Sequence, residues 1–415
     1  MIFIGLLFFL FGSVTWLNGS LIPYLKIVCR LDSSQSLLVT FAFYISYTVM
    51  ALPMAGVLER TGYRAGMMVG LGIMALAALI HIPAALFASY PLFLLALFTL
   101  GTGLTVLQTA SNPYLVLLGP IEGATRRISI MGIVNKSAGV LVPLAFTAFI
   151  FTDLGPAEPS VADSMRLAHK LIAPYCAMAV ILVGLIGLIR FADLPEITPA
   201  PAPSHQPAGR GLASNPQLVL GAIALFGYMG VEVMAGDTIG LFGQSLGVRS
   251  YTLLTSYTMA AMVLGYALGI ICVPRLINQR TALAVCGGSG LVAVIGILTT
   301  SAHSDAIAHL VWGWSGIPPI PDPLFCVAAM GLAHALVWPL LWPLALADLG
   351  RHTARASAVL IMAISGGAVL PLLFGWIGTH VTNLQNAYAL ALPCYAMLVF
   401  YAVKGAGLRA WRGES

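Results

Sequence analysis

Two stretches of this chain read as one helical hairpin written twice. Residues 107–143 run LQTASNPYLVLLGPIEGATRRISIMGIVNKSAGVLVP, and residues 337–371 run VWPLLWPLALADLGRHTARASAVLIMAISGGAVLP. The pairs Asn112-Pro113 and Trp342-Pro343 are 230 residues apart, Met131 and Met362 are 231 apart, and Pro143 and Pro371 are 228 apart. The second copy is three residues shorter where the first carries Asn135 and Lys136. A repeat at half the length of a 415-residue chain points to two homologous halves. Only 8 % of residues are charged, 59 % are apolar and the mean hydropathy is +0.95. A soluble fold carries about 25 % charge, and a spanning helix needs about 20 apolar residues. The halves are therefore expected to be bundles of membrane helices.

Twelve apolar segments emerge, at 2–25, 37–58, 66–87, 91–117, 129–151, 169–191, 217–245, 252–274, 281–300, 322–347, 357–379 and 386–404. The segment 192–216, ADLPEITPAPAPSHQPAGRGLASNP, is the long polar, Pro-rich stretch between spans six and seven. The expected organisation is an all-α membrane protein of twelve transmembrane helices in two pseudo-symmetric six-helix bundles. Residues 1–191 form the first bundle, 192–216 a cytoplasmic linker and 217–415 the second bundle.

Basic residues set the orientation. With the N-terminus inside, thirteen Lys and Arg fall on the cytoplasmic side and five on the other, so both termini are expected in the cytoplasm. The opening MIFIGLLFFLFG lacks a basic lead, and its apolar run continues through WLNGSLIPYL without a small-x-small site. It reads as a first span, not a cleavable signal. The six cysteines form no CxxC pair and sit mostly in apolar runs, as small hydrophobes would. The eight histidines form no HxxxH or HExxH. Neither a metal nor a cofactor is expected, and the net charge of +5 reflects topology rather than nucleic-acid binding.

The loop after span two reads Gly56-Val-Leu-Glu-Arg60-Thr-Gly62-Tyr-Arg64. It resembles the G-x-x-x-D/E-R-x-G-x-R/K signature of the major facilitator superfamily, in which the arginines would cap helix C-termini and pair with a carboxylate at a cytoplasmic gate. GIICVPRLINQR at 269–280 is its weak echo in the second half. Further strings narrow the resemblance. They are WLNGSLIPYLK (16–26), LQTASNPYLVLLGP (107–120), GVEVMAGDTIGLFG (230–243), VWPLLWPLALADLG (337–350), SAVLIMAISGGAVLP (357–371) and PCYAMLVFYAVKG (393–405). Together they resemble the fucose/glucose–galactose permease family, and within it the glucose/galactose and N-acetylglucosamine permeases more than the fucose–proton symporter. Two departures matter. Gly19 stands where the fucose symporter has an Asp after the span-one Asn, and Gln108 where it has a Glu. That symporter's proton-linked carboxylates are missing, so its coupling mechanism does not carry over. Asn135 matches a family Asn, and Lys136 goes with N-acetylglucosamine-type sequences.

The polar residues inside the spans are the candidate site. Glu232 and Asp237 lie on span seven, five residues and about 140° apart on an ideal helix. They form either a structural pair or part of a cavity, and a break near Gly236 would let both face one cavity. Lys136 lies about 10 Å inside span five. It either snorkels to the interface or pairs with Glu232 or Asp237 across the halves. Gln108 and Asn112 share one face of span four and suit vicinal hydroxyls, or else bond neighbouring helices. Asn18, before Pro23, has the same two readings. His334, Trp338 and Trp342 make one stripe on span ten. The indoles would stack on the C–H face of a sugar, and His334 could equally be a packing residue.

The expectation is a monosaccharide importer working by alternating access in a bacterial inner membrane. Asn18, Gln108, Asn112, Asn135, Glu232, His334, Trp338 and Trp342 would bind sugar. Lys136, Glu232 and Asp237 would couple an H+ or Na+ co-substrate, and Gly56, Arg60, Gly62 and Arg64 would form the cytoplasmic gate. The expected partners are the sugar, the ion and the lipid bilayer, with no nucleic acid and a monomeric state. An anionic-sugar carrier using Lys136, or an uncoupled facilitator, remains the alternative. No nucleophile–base pair suggests an enzyme, and no Walker motif suggests ATP as the driver.

Overall fold

The computed structural model describes residues 2–117, 124–150, 161–191, 212–273, 276–349, 353–381 and 383–411. Those residues form helices and turns and no strand. In hydrocarbon each backbone N–H and C=O must find its partner within its own segment, which leaves the helix as the means of crossing for an apolar run. Among the described residues, twelve helices are long and apolar enough to cross. They are Phe3–Val28, Leu38–Leu58, Arg60–Leu86, Tyr90–Ser111, Arg127–Phe149, Met165–Phe191, Pro216–Ser245, Tyr251–Cys272, Gln279–Thr299, Asp322–Leu346, Ala356–His380 and Leu384–Gly407. Each overlaps one of the twelve apolar segments of the sequence. Most of the Pro-rich stretch, residues 192–211, lies outside the described residues, as do Arg210, Arg275, Arg351 and Arg412 among the topology-setting charges.

Helix packing repeats with a shift of six spans. Span one packs on five and seven on eleven; two packs on four and eight on ten; three packs on six and nine on twelve. Glycines make the first of these contacts close. The Gly12 Cα abuts the carbonyl of Asn135 in one half, and Gly366 abuts that of Phe226 in the other. Between the halves, span five meets eight, span two meets eleven and span one meets seven. The first two contacts exchange under the same six-span shift, as a pseudo-two-fold requires.

Several spans are not straight. Span one is two helices, Ile2–Trp16 and Asn18–Val28. Span ten is Asp322–His334 and Val337–Leu346, and span eleven passes through a 3-10 turn at Ala363–Ser365. Span seven, in contrast, is one unbroken helix, Pro216–Ser245. The break near Gly236 that would let Glu232 and Asp237 face one cavity is not present. Gly236 serves close approach instead, because a Cβ there would lie 2.7 Å from the Trp16 ring.

The Gly56–Arg64 loop turns the chain from span two into span three. Gly62 has φ 78° and ψ 170°, a conformation that is essentially reserved for glycine. Arg64 then reaches span six, donating from Nε to the Ile189 carbonyl at 3.2 Å and from Nη2 to the Arg190 carbonyl at 2.8 Å. These carbonyls are among those left open at a helix C-terminus. Arg60 is exposed. A Gly62→Ala substitution is expected to destabilise the protein by about 1–3 kcal/mol, the usual cost of a side chain in that backbone region. Gly56→Ala, with nothing within 4 Å of the added Cβ, should be close to neutral. Thermal unfolding in detergent of both variants, side by side, checks the contrast.

Candidate transport cavity

A cavity of about 120 Å3 lies between the two halves, in the part of the membrane nearer the chain termini. Its walls come from spans one, two, four and five on one side and seven, eight, ten and eleven on the other. Phe8, Phe11, Thr15, Trp16, Tyr44, Tyr47, Gln108, Asn135 and Lys136 face Tyr228, Glu232, Tyr266, Trp338 and Ile364.

One ion pair crosses this space. Lys136 Nζ of span five donates to Glu232 Oε1 of span seven at 2.6 Å, and both side chains are nearly buried, at 9 % and 4 % exposure. The ammonium also sits 4.0 Å above the Trp16 ring, where the indole face is electron-rich. Trp16 is itself fixed, since its Nε1 donates to Asn135 Oδ1 at 3.3 Å while Asn135 Nδ2 donates to the Phe8 carbonyl at 3.2 Å. Trp16 closes the first helical stretch of span one, with its ring over Lys136. Asn135 thus orients the aromatic partner of its own neighbour.

The remaining candidates divide. Gln108 and Trp338 line the cavity. Trp342 stacks behind Trp338, with ring centroids 5.0 Å apart, and is half-buried. His334 does not join the stripe. Its side chain faces span twelve, where Nε2 lies 2.6 Å from Tyr395 Oη and the two rings stack. Asn18 is also away from the cavity; it starts the second helix of span one and is buried against its neighbours. Asp237 is separated from Glu232 because span seven stays helical, and its Oδ2 accepts from Thr40 Oγ1 of span two at 2.8 Å. The side chain of Asn112 lies outside the described residues.

Trp16, Tyr44, Tyr47, Tyr228 and Tyr266 were not among the sequence candidates. Two of these groups left a signal. Tyr228 stands one helical turn before Glu232, and Tyr44 and Tyr47 are three apart, on neighbouring positions of one helix surface. Their rings stack at 6.0 Å.

The other end of the interface is closed. Ser20 Oγ of span one donates to the Thr252 carbonyl at 3.0 Å, and Ser256 Oγ of span eight to the Val140 carbonyl at 2.9 Å. Thr147 Oγ1 donates to Thr252 Oγ1 at 3.0 Å. Spans one and seven cross at glycines, since a Cβ on Gly19 would lie 2.7 Å from the Gly236 carbonyl. The polar cavity thus occupies one end of the interface between the halves, and the other end is packed shut.

These features define a membrane carrier with its cavity between two pseudo-equivalent halves. Residues 4–372 match the sequence profile of the Major Facilitator Superfamily. A glucose/galactose transporter of Brucella abortus is 33 % identical over 407 residues, covering 96 % of this chain and 92 % of the relative. An L-fucose-proton symporter of Haemophilus influenzae is 27 % identical over 433 residues, covering 98 % and 95 %. The crystal structure of FucP in the outward conformation superposes with a TM-score of 0.73 at 21 % identity, over 97 % of each chain. The chain belongs to the major facilitator superfamily. It is a multi-pass membrane transporter and not an enzyme.

Removing one member of the buried pair leaves an uncompensated charge, at a cost of about 3–5 kcal/mol. Lys136→Met is therefore expected to destabilise strongly, and adding Glu232→Leu should recover much of the loss. Melting curves of the two single variants and the double variant, compared as a cycle, check the coupling.

Proposed function

We propose that this protein imports a neutral monosaccharide, of the glucose/galactose or N-acetylglucosamine type, by alternating access with proton symport. The observation that carries this reading is the cavity itself. Aromatic faces of Trp16, Tyr44, Tyr47, Tyr228, Tyr266 and Trp338 surround a few polar groups, Gln108, Asn135 and the Lys136–Glu232 pair. Indole and phenol faces suit the C–H faces of a sugar ring, while an amide and a carboxylate accept and donate to its hydroxyls. The named relatives transport glucose and galactose or fucose with a proton, which supports the same substrate class here.

Charge balance favours a neutral substrate. Lys136 is already matched by Glu232 at 2.6 Å and by the Trp16 ring, so a sugar carboxylate would have to displace a partner. The Lys136–Glu232 bridge is the cross-half contact that a bound sugar would loosen or tighten through its hydroxyls. In this reading Gln108, Asn135, Glu232 and Trp338 bind sugar, with Trp342 backing Trp338. The Gly56–Arg64 turn works as a gate element by fixing spans two, three and six as one unit through Arg64. The thirteen-to-five asymmetry of Lys and Arg supports cytoplasmic termini, and the cavity then faces the cytoplasm. The protein works as a monomer in the lipid bilayer.

Reconstituted vesicles test the proposal. Labelled galactose, glucose and N-acetylglucosamine are offered with and without an imposed pH or sodium gradient, with a uronate and a sialic acid as competitors. Counterflow of at least one neutral sugar, driven uphill by a pH gradient and unaffected by the anions, is expected. Gln108→Ala and Trp338→Ala should each weaken sugar binding by about 1–3 kcal/mol, the cost of a lost partner in a built site. Competition by the anionic sugars alone, or unchanged binding in both variants, would refute the assignment.

A further inference from the structure

Asp237 stands outside the cavity, and the sugar-binding reading does not use it. It is fully buried on span seven, and its Oδ2 accepts from Thr40 Oγ1 of the opposite half at 2.8 Å. Its other oxygen, Oδ1, is buried with no hydrogen-bond partner. Glu232, one and a half turns away, has a cation at 2.6 Å. Among the described residues no Lys, Arg or His lies within ion-pair distance of Asp237. An ionised carboxylate in that setting carries an unbalanced charge in a medium that cannot screen it, while the neutral acid does not.

The location gives the burial a consequence. Thr40 and Asp237 join spans two and seven in the sealed part of the interface, beside the Gly19–Gly236 crossing. Alternating access must part the halves there, which breaks the Thr40 contact and wets the carboxyl. Closure, as in this structure, dries it. The titratable groups around it are few. Tyr44, one turn along span two from Thr40, lies within electrostatic reach of both Asp237 and Glu232 and lines the cavity. Its buried hydroxyl has no hydrogen-bond partner. Tyr388 bonds the neighbouring Thr238 at 2.9 Å. Spans one and eight bring Gly19 and Thr255 to the same crossing.

We propose that Asp237 is the proton-binding site of the transport cycle. Its carboxylate takes one proton from water when the end opposite the termini opens, and the neutral acid is sealed in as Thr40 closes over it. On the cavity side the O–H bond breaks. Water entering from the cavity past Tyr44 takes the proton and hydrates the carboxylate that is left. The Lys136–Glu232 pair keeps its charges throughout and serves the sugar. The inference rests on the transport reading and adds to it the group that moves the proton.

Vesicles containing the whole protein and a trapped pH dye separate the two claims. Counterflow of labelled sugar reports exchange, and dye acidification on sugar entry reports proton movement. Wild type is expected to show both. Asp237→Asn, which mimics the neutral acid, should keep counterflow while losing sugar-driven acidification and pH-driven accumulation. Thr40→Val removes the latch and leaves the acid, so it should keep proton movement. A second measurement needs no variant. Dicyclohexylcarbodiimide attacks protonated buried carboxyls, so it should modify Asp237, located by mass spectrometry, increasingly as pH falls and with parallel loss of proton movement. The assignment is overturned if Asp237→Asn still accumulates sugar on a pH gradient, if wild-type uptake follows sodium and ignores pH, or if the carbodiimide marks Glu232 and spares Asp237. Absence of counterflow in wild type would instead refute the transport reading.

Discussion

A single ion pair governs the middle of this molecule. Neither Lys136 nor Glu232 is tolerable alone in hydrocarbon, and each comes from a different half. Their contact therefore does more than hold two helices. It fixes how spans five and seven face each other, and it requires a polar cavity around it. Trp16 covers the ammonium and Asn135 holds Trp16, so the pair has a layer of support made by span one and span five together. The pair is net neutral, and that neutrality decides which ligands fit beside it.

The sealed end obeys a different rule. There the contacts are made by small residues, hydroxyls and backbone carbonyls, with glycines allowing the helices to touch. Such contacts are individually weak and reversible, as a seam that opens in every cycle must be. Gly19 belongs to this seam. The Gly236 carbonyl and Thr255 leave no room for a side chain at this position of span one. A titratable group for the seam comes instead from the facing helix, as Asp237.

What the sequence made legible follows from the length scale of each signal. Twelve spans and the half-chain repeat are written over tens of residues, so hydropathy and offset suffice to read them. Lys136 and Glu232 stood out because charge within a span is rare. The failures are local. Stripe logic put His334 with Trp338 because they are four residues apart, but each such step turns about 40° around the helix, and His334 finds Tyr395 of span twelve as its partner. In span seven, a break among the glycines near Asp237 would have let both carboxyls face one cavity; those glycines instead permit close packing of Trp16 and span eight. Glycine content alone does not separate flexibility from contact; the partner helix decides. The tyrosines of the cavity left only a spacing signal for a related reason, since an aromatic in a span is equally at home against lipid or core.

The separation of Glu232 from Asp237 links these points to mechanism. On an unbroken helix, five residues of spacing turn two carboxyls about 140° apart. One then faces the cavity and the other the seam. A helix broken at Gly236 would have brought both into one site, where sugar and proton would compete for the same groups. The continuous helix instead makes span seven a rigid rod with a different chemistry on each side. Any motion of that rod which opens the seam at Thr40 also moves Glu232 against Lys136. Coupling between proton and sugar then needs no shared ligand. It needs only that spans two, five and seven move as units, and the Arg64 caps, the glycine crossings and the buried ion pair are the contacts that make them do so.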